Sequence, residues 1–444
     1  DIFDNPDGIG QVQAADNPKR VMFSLLKVDV DSVAFSGDEQ IKSDLPSIGF
    51  YGGTRDANGF PEQSKSHWKD NTLDYDGDAL DDAGSNGGAA DHNFPVCYVS
   101  GDTMKAKVSF RFPSESIIDD IGSDLKFRGK FQGLSNKIIG PMGYVKDSSN
   151  GSIAIAESGN TSFTIFEAER VKKFEPSIAW EISLDNEATW IPVGETTHRF
   201  YITWRAPITS NDYPTYETVL DVSCRAAHSS GVLQERDVID KVWGEFSATV
   251  SAGVGRKSID GYNEADGVAM RFWINNPPGS LPCNLLEEMI NPGATQYDGV
   301  GTCIAWALLM RQAPAVQGLE PNDEVFAAEI QPSATSSANY SPFNRASMLI
   351  KNWNFSAGTL SGDAEKFTHK SSEYADSGSR LQAQITTQSP NLFFNHFIVV
   401  VELGGGVEVY DPSYGTGPFS SLAEWEDASL DGFERKDSNA DKVA

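Results

Sequence analysis

Two stretches of this chain carry residues able to do nucleophilic chemistry. The first runs Asp298-Gly-Val-Gly-Thr-Cys303-Ile-Ala-Trp-Ala-Leu-Leu-Met-Arg311. Its two glycines loosen the backbone ahead of a cysteine, and the Ala/Leu/Met run that follows predicts a buried helix starting at that cysteine. Unpaired N–H groups at a helix N-terminus carry partial positive charge, which favours a thiolate over a free thiol of pKa about 8.5. The second stretch, Asn395-His396-Phe-Ile-Val-Val-Val through Tyr410-Asp411-Pro412, holds a base and an acid.

Those two groups need an element that brings them together, and the pattern predicts one. Phe393 to Leu403 reads as a strand, Gly404-Gly405-Gly406 as a tight turn, and Val407 to Tyr410 as the returning strand with Asp411 at its end. A two-residue loop of Gly404-Gly405 sets Leu403 against Gly406 and Asp411 against Ile398, two residues along from His396. Both side chains then share a face, a diagonal pair roughly 7–8 Å apart and within reach of a carboxylate–imidazole hydrogen bond. A three-residue loop shifts the register by one and separates them unless a bulge intervenes.

Gly-Thr-Cys303-Ile-Ala-Trp-Ala-Leu-Leu-Met-Arg, followed far downstream by Asn-His396 on a strand and Tyr-Asp411-Pro-Ser-Tyr-Gly after a glycine turn, resembles the transglutaminase-like branch of the papain-type cysteine enzymes. The order Cys, His, Asp is that family's order. The resemblance covers roughly the last two hundred residues. It implies Cys303 as nucleophile, His396 as general base and acid, and Asp411 as the carboxylate that orients the imidazole. It also implies an oxyanion site at the Cys303 backbone N–H, to which Gln296 is the candidate side-chain contributor.

Composition narrows the partners. Among 444 residues, 63 acidic against 35 basic side chains give a formal net charge of −28. Such an excess repels phosphate backbones and anionic lipid, so nucleic-acid and membrane-surface partners are disfavoured and basic or neutral substrates favoured. No apolar run reaches the length of a membrane span. The chain opens at Asp1 with no signal peptide, which suits a processed secreted product and a trimmed one equally. Abundant Asn, Asp, Gly, Ser and Thr point to a loop-rich β protein in an extracellular or cell-surface setting. Cys97, Cys224, Cys283 and Cys303 are too widely spaced for a zinc motif. Cys97 and Cys224 read as buried free thiols, or as a pair in an oxidising compartment.

The chain divides by pattern. Residues 1–19 read as a flexible polar arm, and 20–228 as a β-sandwich region of one or two modules. Residues 229–435 read as the transglutaminase-like α+β domain, and 436–444 as a polar tail. In the sandwich region Val21 to Phe35 alternates as a half-buried strand, Met104 to Phe112 alternates cleanly, and further strands are expected at Leu125 to Phe131, Ser162 to Phe166, Ser177 to Ile182, Trp190 to Val193, Arg199 to Trp204 and Glu217 to Val222. Ser183 to Trp190 resembles an Asp-box turn and reads as structural. An acidic loop, 52–93, contains Asp74, Asp76, Asp78 and Asp82. Carboxylates at alternate positions around a glycine can wrap a structural calcium ion, or form a solvated loop. No cofactor is required for the proposed chemistry.

In the second half, Val238, Ile239, Val242, Trp243 and Phe246 fall on one helical face. Ser280 to Ile290 predicts a helix with Leu285, Leu286, Met289 and Ile290 inward. Val325 to Phe355 carries strand-like pieces. Ser421-Leu-Ala-Glu424 is a capping-box signature for a helix with Leu422 and Trp425 inward. Of the other histidines, His67 and His92 lie in the acidic loop, His198 in a strand, His228 at the boundary and His369 in a polar loop, all read as solvated or locally bonded. The expected activity is cysteine-dependent acyl transfer from, or hydrolysis of, a peptide or protein amide. The alternative is a non-catalytic surface or assembly protein, with self-assembly or a cell-surface partner, that retains an inactive transglutaminase-like fold.

Overall fold

The computed structural model describes residues 28–36, 38–44, 50–51, 55–61, 67–69, 92–133, 137–158, 163–164, 170–209, 214–228, 231, 233–248, 254–255, 269–272, 283–291, 299–320, 324–330, 346–350, 364–367, 383–385, 392–393 and 395–436. The chain is β-rich and built from several sheets. Asp74, Asp76, Asp78 and Asp82 lie outside the described residues, as do Gln296, the polar arm and residues 437–444 of the expected tail. No described helix is long and apolar enough to cross a membrane.

A first sheet is organised on the strand Thr103–Arg111, whose Met104, Ala106, Val108 and Phe110 point into a core while Lys105 and Lys107 stay half-exposed. It pairs antiparallel with Asp29–Ser36 on one side and Ile153–Glu157 on the other. A second sheet, Ile191–Thr197, Ser177–Ser183, Lys126–Phe131 and Ile138–Met142 in that order, faces it. Phe110 stacks on Phe127 at 4.3 Å between centroids, with Trp180 edge-on to Phe110 at 6.1 Å. Gly129 is required under that indole, since an added Cβ would lie 2.6 Å from Trp180 Cζ3. Asp29–Ser36 departs from the expected half-burial: from Val30 onward both of its faces are buried, Asp31 and Ser32 included. Phe35 packs on His67, His198 and Phe200, while Asp31 pairs with Arg111.

A small third sheet (Lys172–Phe174, Phe200–Thr203, Val96–Val99) mixes antiparallel and parallel pairing. Beside it lies the segment that sequence pattern reads as a strand at Glu217 to Val222. It is a helix, Glu217–Ala226. Its β-branched Thr218, Val219 and Val222 suggested extension, but the first eight residues are buried, so packing overrides propensity. Tyr201 Oη donates to Asp221 at 2.7 Å on the sheet side, and Ser223 Oγ donates to the Ala313 carbonyl at 2.5 Å on the other.

The second core starts as early as Ile41 and extends to Leu430. Helix Cys303–Val316 runs through it, with Glu217–Ala226, Glu235–Ala248 and the short Leu286–Ile290 around it. Val238, Ile239, Val242, Trp243 and Phe246 are buried as the helical face requires. Leu285 is not inward: it is half-exposed, because the helix starts one residue later and Leu285 is its extended N-cap. An antiparallel sheet, Val325–Ile330, His396–Leu403, Gly406–Asp411 and Thr416–Phe419, covers the cysteine helix. The strand expected from Phe393 is broken. Leu392–Phe393 belongs to a different sheet with Ala346–Ile350, Leu430–Lys436 and Ala364–Phe367, so Lys436 ends a strand and is not tail. The helix Leu422–Ser429 is capped by Ser421, which accepts from the Glu424 N–H, and buries Trp425; Leu422 is 45 % exposed, being the first residue past the cap.

Candidate active site

The loop before Cys303 is tightly held. Gly299 has φ +74°, and Val300–Gly301 pairs in parallel with Arg271–Phe272. On the other side the Cys283 N–H donates to the Val300 carbonyl at 3.0 Å and the Thr302 N–H to the Cys283 carbonyl at 2.9 Å. Glycine at 301 lets the chain pass close to Met289 and the cysteine helix, since a Cβ there would meet Met289 Sδ at 2.3 Å and Ala305 Cβ at 3.0 Å and force Met289 to move. The helix then begins at Cys303, as its sequence predicts, with Thr302 as N-cap in extended conformation. Thr302 makes no side-chain cap bond; its hydroxyl donates instead to Asn284 Oδ1 at 2.7 Å. The first N–H groups of any helix lack intrahelical acceptors, so a partial positive charge stands at the sulfur's end.

The hairpin has the two-residue turn. Gly404 and Gly405 have φ +61° and +81°, a pair of positive values that only glycine adopts freely, and Leu403 opposes Gly406. Val399 opposes Tyr410, which places Asp411 beside Ile398 and diagonal to His396 on one face. His396 Nε2 and Asp411 Oδ2 are 2.8 Å apart. Trp425 Nε1 donates to the same Oδ2 at 3.2 Å, and its indole lies parallel to the imidazole, 9° between planes and 6.0 Å between centroids. Tyr414 closes the other side at 5.8 Å.

With Nε2 committed to the carboxylate, Nδ1 is the ring nitrogen left over, and Cys303 lies near enough to the ring to add to its electrostatics. Burial opposes a charged imidazole here. The Asp411 carboxylate, with a further contribution from Cys303, overcomes it and raises the His396 pKa to about 10. The three side chains are therefore brought to one point. Cys303 keeps 5 % exposure, while His396 and Asp411 keep 1 % each. All four cysteines are buried and free, and burial pushes the thiols of Cys224 and Cys283 up to about 12 and that of Cys97 well above its ordinary value.

Three residues at the site have roles the sequence did not reveal. Trp425 was expected to be inward, but nothing marked it as a partner of Asp411. Gln384, fully buried, donates through Nε2 to the Pro412 and Phe246 carbonyls and through its N–H to the Ser413 carbonyl, while its own carbonyl accepts from Phe272. It thus staples the acid's loop to the strand that flanks the cysteine loop, and no local pattern announces that. Asn284 was hidden inside an expected helix.

Of two other histidines, both buried, His198 is bonded locally as expected, whereas His67, read as solvated or locally bonded, pairs with residues far along the chain. His67 Nδ1 accepts the Phe35 N–H at 3.0 Å and Nε2 lies 3.1 Å from Asp38 Oδ2. His198 Nε2 lies 2.7 Å from Thr196 Oγ1, and burial, with His67 nearby, pushes its pKa down to about 3. His228 is exposed, whereas the His92 side chain and His369 lie outside the described residues. Among the described residues no group of three or more His, Cys, Asp or Glu side chains is arranged to hold a metal ion. No family model and no curated protein matches this chain.

Proposed function

We propose that the chain is a cysteine-dependent amide acyltransferase or hydrolase of the transglutaminase-like kind, acting on peptide or protein amides. The observation that carries this reading is the buried His396–Asp411 pair, 2.8 Å apart, whose ring meets the Cys303 thiol at a helix N-terminus. Its chemistry follows from the parts. Cys303 Sγ bonds to the amide carbon, and the carbonyl π pair moves to oxygen, where the Cys303 backbone N–H stabilises it. Collapse breaks the C–N bond, and the proton held on His396 goes to the leaving amine. Water or a lysine amine, deprotonated by His396, then takes the acyl group. The acidic composition supports an extracellular or cell-surface setting and basic or neutral substrates. Gln296 and a structural calcium at Asp74, Asp76, Asp78 and Asp82 remain part of the proposal from sequence alone.

A second reading is favoured by the low exposure of all three residues: a non-catalytic surface or assembly protein that retains the fold. Acylation by p-nitrophenyl acetate separates the two. The catalytic reading predicts a stoichiometric burst of p-nitrophenolate that vanishes in Cys303→Ala, and the second predicts no burst attributable to Cys303.

A further inference from the structure

We infer that Asn284 supplies a side-chain donor to the oxyanion formed at Cys303. The inference rests on the thiol chemistry proposed above and adds a residue to it. Asn284 follows Cys283, whose backbone runs beside Val300 to Thr302 through two hydrogen bonds of 3.0 and 2.9 Å. It is therefore held next to the residue that precedes the nucleophile, although 19 positions separate it from Cys303 in the chain.

The Thr302 hydroxyl fixes how the amide points. A threonine at an N-cap ordinarily accepts from an N–H of the first helical turn, an interaction worth about 1 kcal/mol. Thr302 forgoes that bond and donates to Asn284 Oδ1 at 2.7 Å. With Oδ1 engaged as acceptor, Nδ2 and its two hydrogens are turned away from Thr302. Asn284 is exposed while Cys303 is buried, and its amide is tied to Thr302, the residue that adjoins the nucleophile. A cap residue that leaves its own helix uncapped in order to orient an amide is a local rule broken at a functional point.

In the step concerned, Sγ forms a bond to the acyl carbon and the displaced π pair becomes an oxyanion. That oxygen accepts from Asn284 Nδ2 and from the Cys303 N–H. Re-formation of the carbonyl expels the leaving group. Alkylation by iodoacetamide is a direct displacement of iodide at a CH2 carbon and forms no oxyanion, which gives a built-in control.

The test compares both reagents on the full chain, with Asn284→Ala and Asn284→Asp. The aspartate keeps an acceptor for Thr302 and lacks the donor. The expected result is a fall of about 10²- to 10³-fold in the p-nitrophenyl acetate acylation rate in both variants, the usual cost of one oxyanion donor, with iodoacetamide alkylation of Cys303 within about twofold of wild type. Acylation near the wild-type rate in either variant overturns the role of Asn284, as does an equal loss in both reactions, which means the nucleophile itself has moved. A wild-type protein that shows neither reaction at Cys303 overturns the underlying thiol chemistry instead.

Discussion

Two buried histidine–aspartate pairs occur among the described residues, and their surroundings differ. In the sandwich, His67 and Asp38 are 1 % and 2 % exposed, and in the C-terminal region His396 and Asp411 are each 1 % exposed. Burial alone does not distinguish them. The partners do. His67 has both nitrogens engaged within the fold, Nδ1 accepting a backbone N–H, and Asp38 is also gripped by both terminal nitrogens of Arg55. That acceptor role fixes the neutral tautomer, with the ring proton on Nε2. Asp411 pairs with no arginine or lysine among the described residues, so its charge falls on His396, and Cys303 adds to the electrostatics of that ring. One pair is a closed structural clamp; the other has the composition of the acid–base couple proposed above.

The largest effect is expected from Cys303→Ala. Turnover should fall about 10⁴-fold or more with the thermal midpoint nearly unchanged, whereas alanine at Cys97, Cys224 or Cys283 should leave turnover per folded molecule intact. His396→Gln keeps a donor for Asp411 and removes the base, and should lower turnover about 10²- to 10⁴-fold. His67→Gln should leave it unchanged, and equal losses in the two variants would erase the distinction.

His67→Ala should instead cost stability, about 1–3 kcal/mol in denaturant titration, because the Phe35 N–H and Asp38 each lose a hydrogen-bond partner inside the fold while Arg55 still balances the Asp38 charge. The pH response should differ in sign. The His396 pKa is raised to about 10, so its contribution is complete below the ordinary value of 6.5 and disappears as pH rises through 10. His198 is depressed to about 3 and Asp38 is lowered despite burial, through His67 and Arg55. Their contributions are complete above the unfolded values and fade on acidification, from pH 6.5 for His198 and from pH 3.8 for Asp38. Hydrogen exchange, corrected for intrinsic rates, should therefore loosen Asp29–Ser36 in acid and His396–Leu403 in base. The smallest effect is expected from Trp425→Phe, which keeps the stacked ring but removes the donor to Asp411. About tenfold slower turnover corresponds to roughly 1.4 kcal/mol, just under the range for a hydrogen bond to a charged group.

Much of the His396–Asp411 couple could be read from the chain because its geometry is local. Two adjacent glycines fix the hairpin register, a period of two then puts His396 and Asp411 on one face, and an apolar run starting at Cys303 fixes the helix. The closed clamp was illegible because it is assembled from Asp38, Arg55 and His67, three polar residues in loops whose pairing depends on what the rest of the sandwich brings near. Helix Glu217–Ala226 was misread because its β-branched residues favour extension, a propensity that tertiary packing overrides. Strand Leu430–Lys436, mostly Asp, Gly, Glu, Arg and Lys, offered no apolar alternation. Gln384 acts almost wholly through carbonyl partners far along the chain, and backbone atoms leave no residue signature.

The most direct measurement is competitive alkylation of the native protein with iodoacetamide at about pH 6, read peptide by peptide by mass spectrometry. At that pH an ordinary thiol is almost wholly protonated and slow. A thiol whose neighbour holds the proton should react far ahead, so Cys303 should be carbamidomethylated before Cys97, Cys224 and Cys283 show any label, and His396→Gln should abolish the lead. Slow and equal labelling of all four would contradict the account and leave His396–Asp411 a second structural clamp.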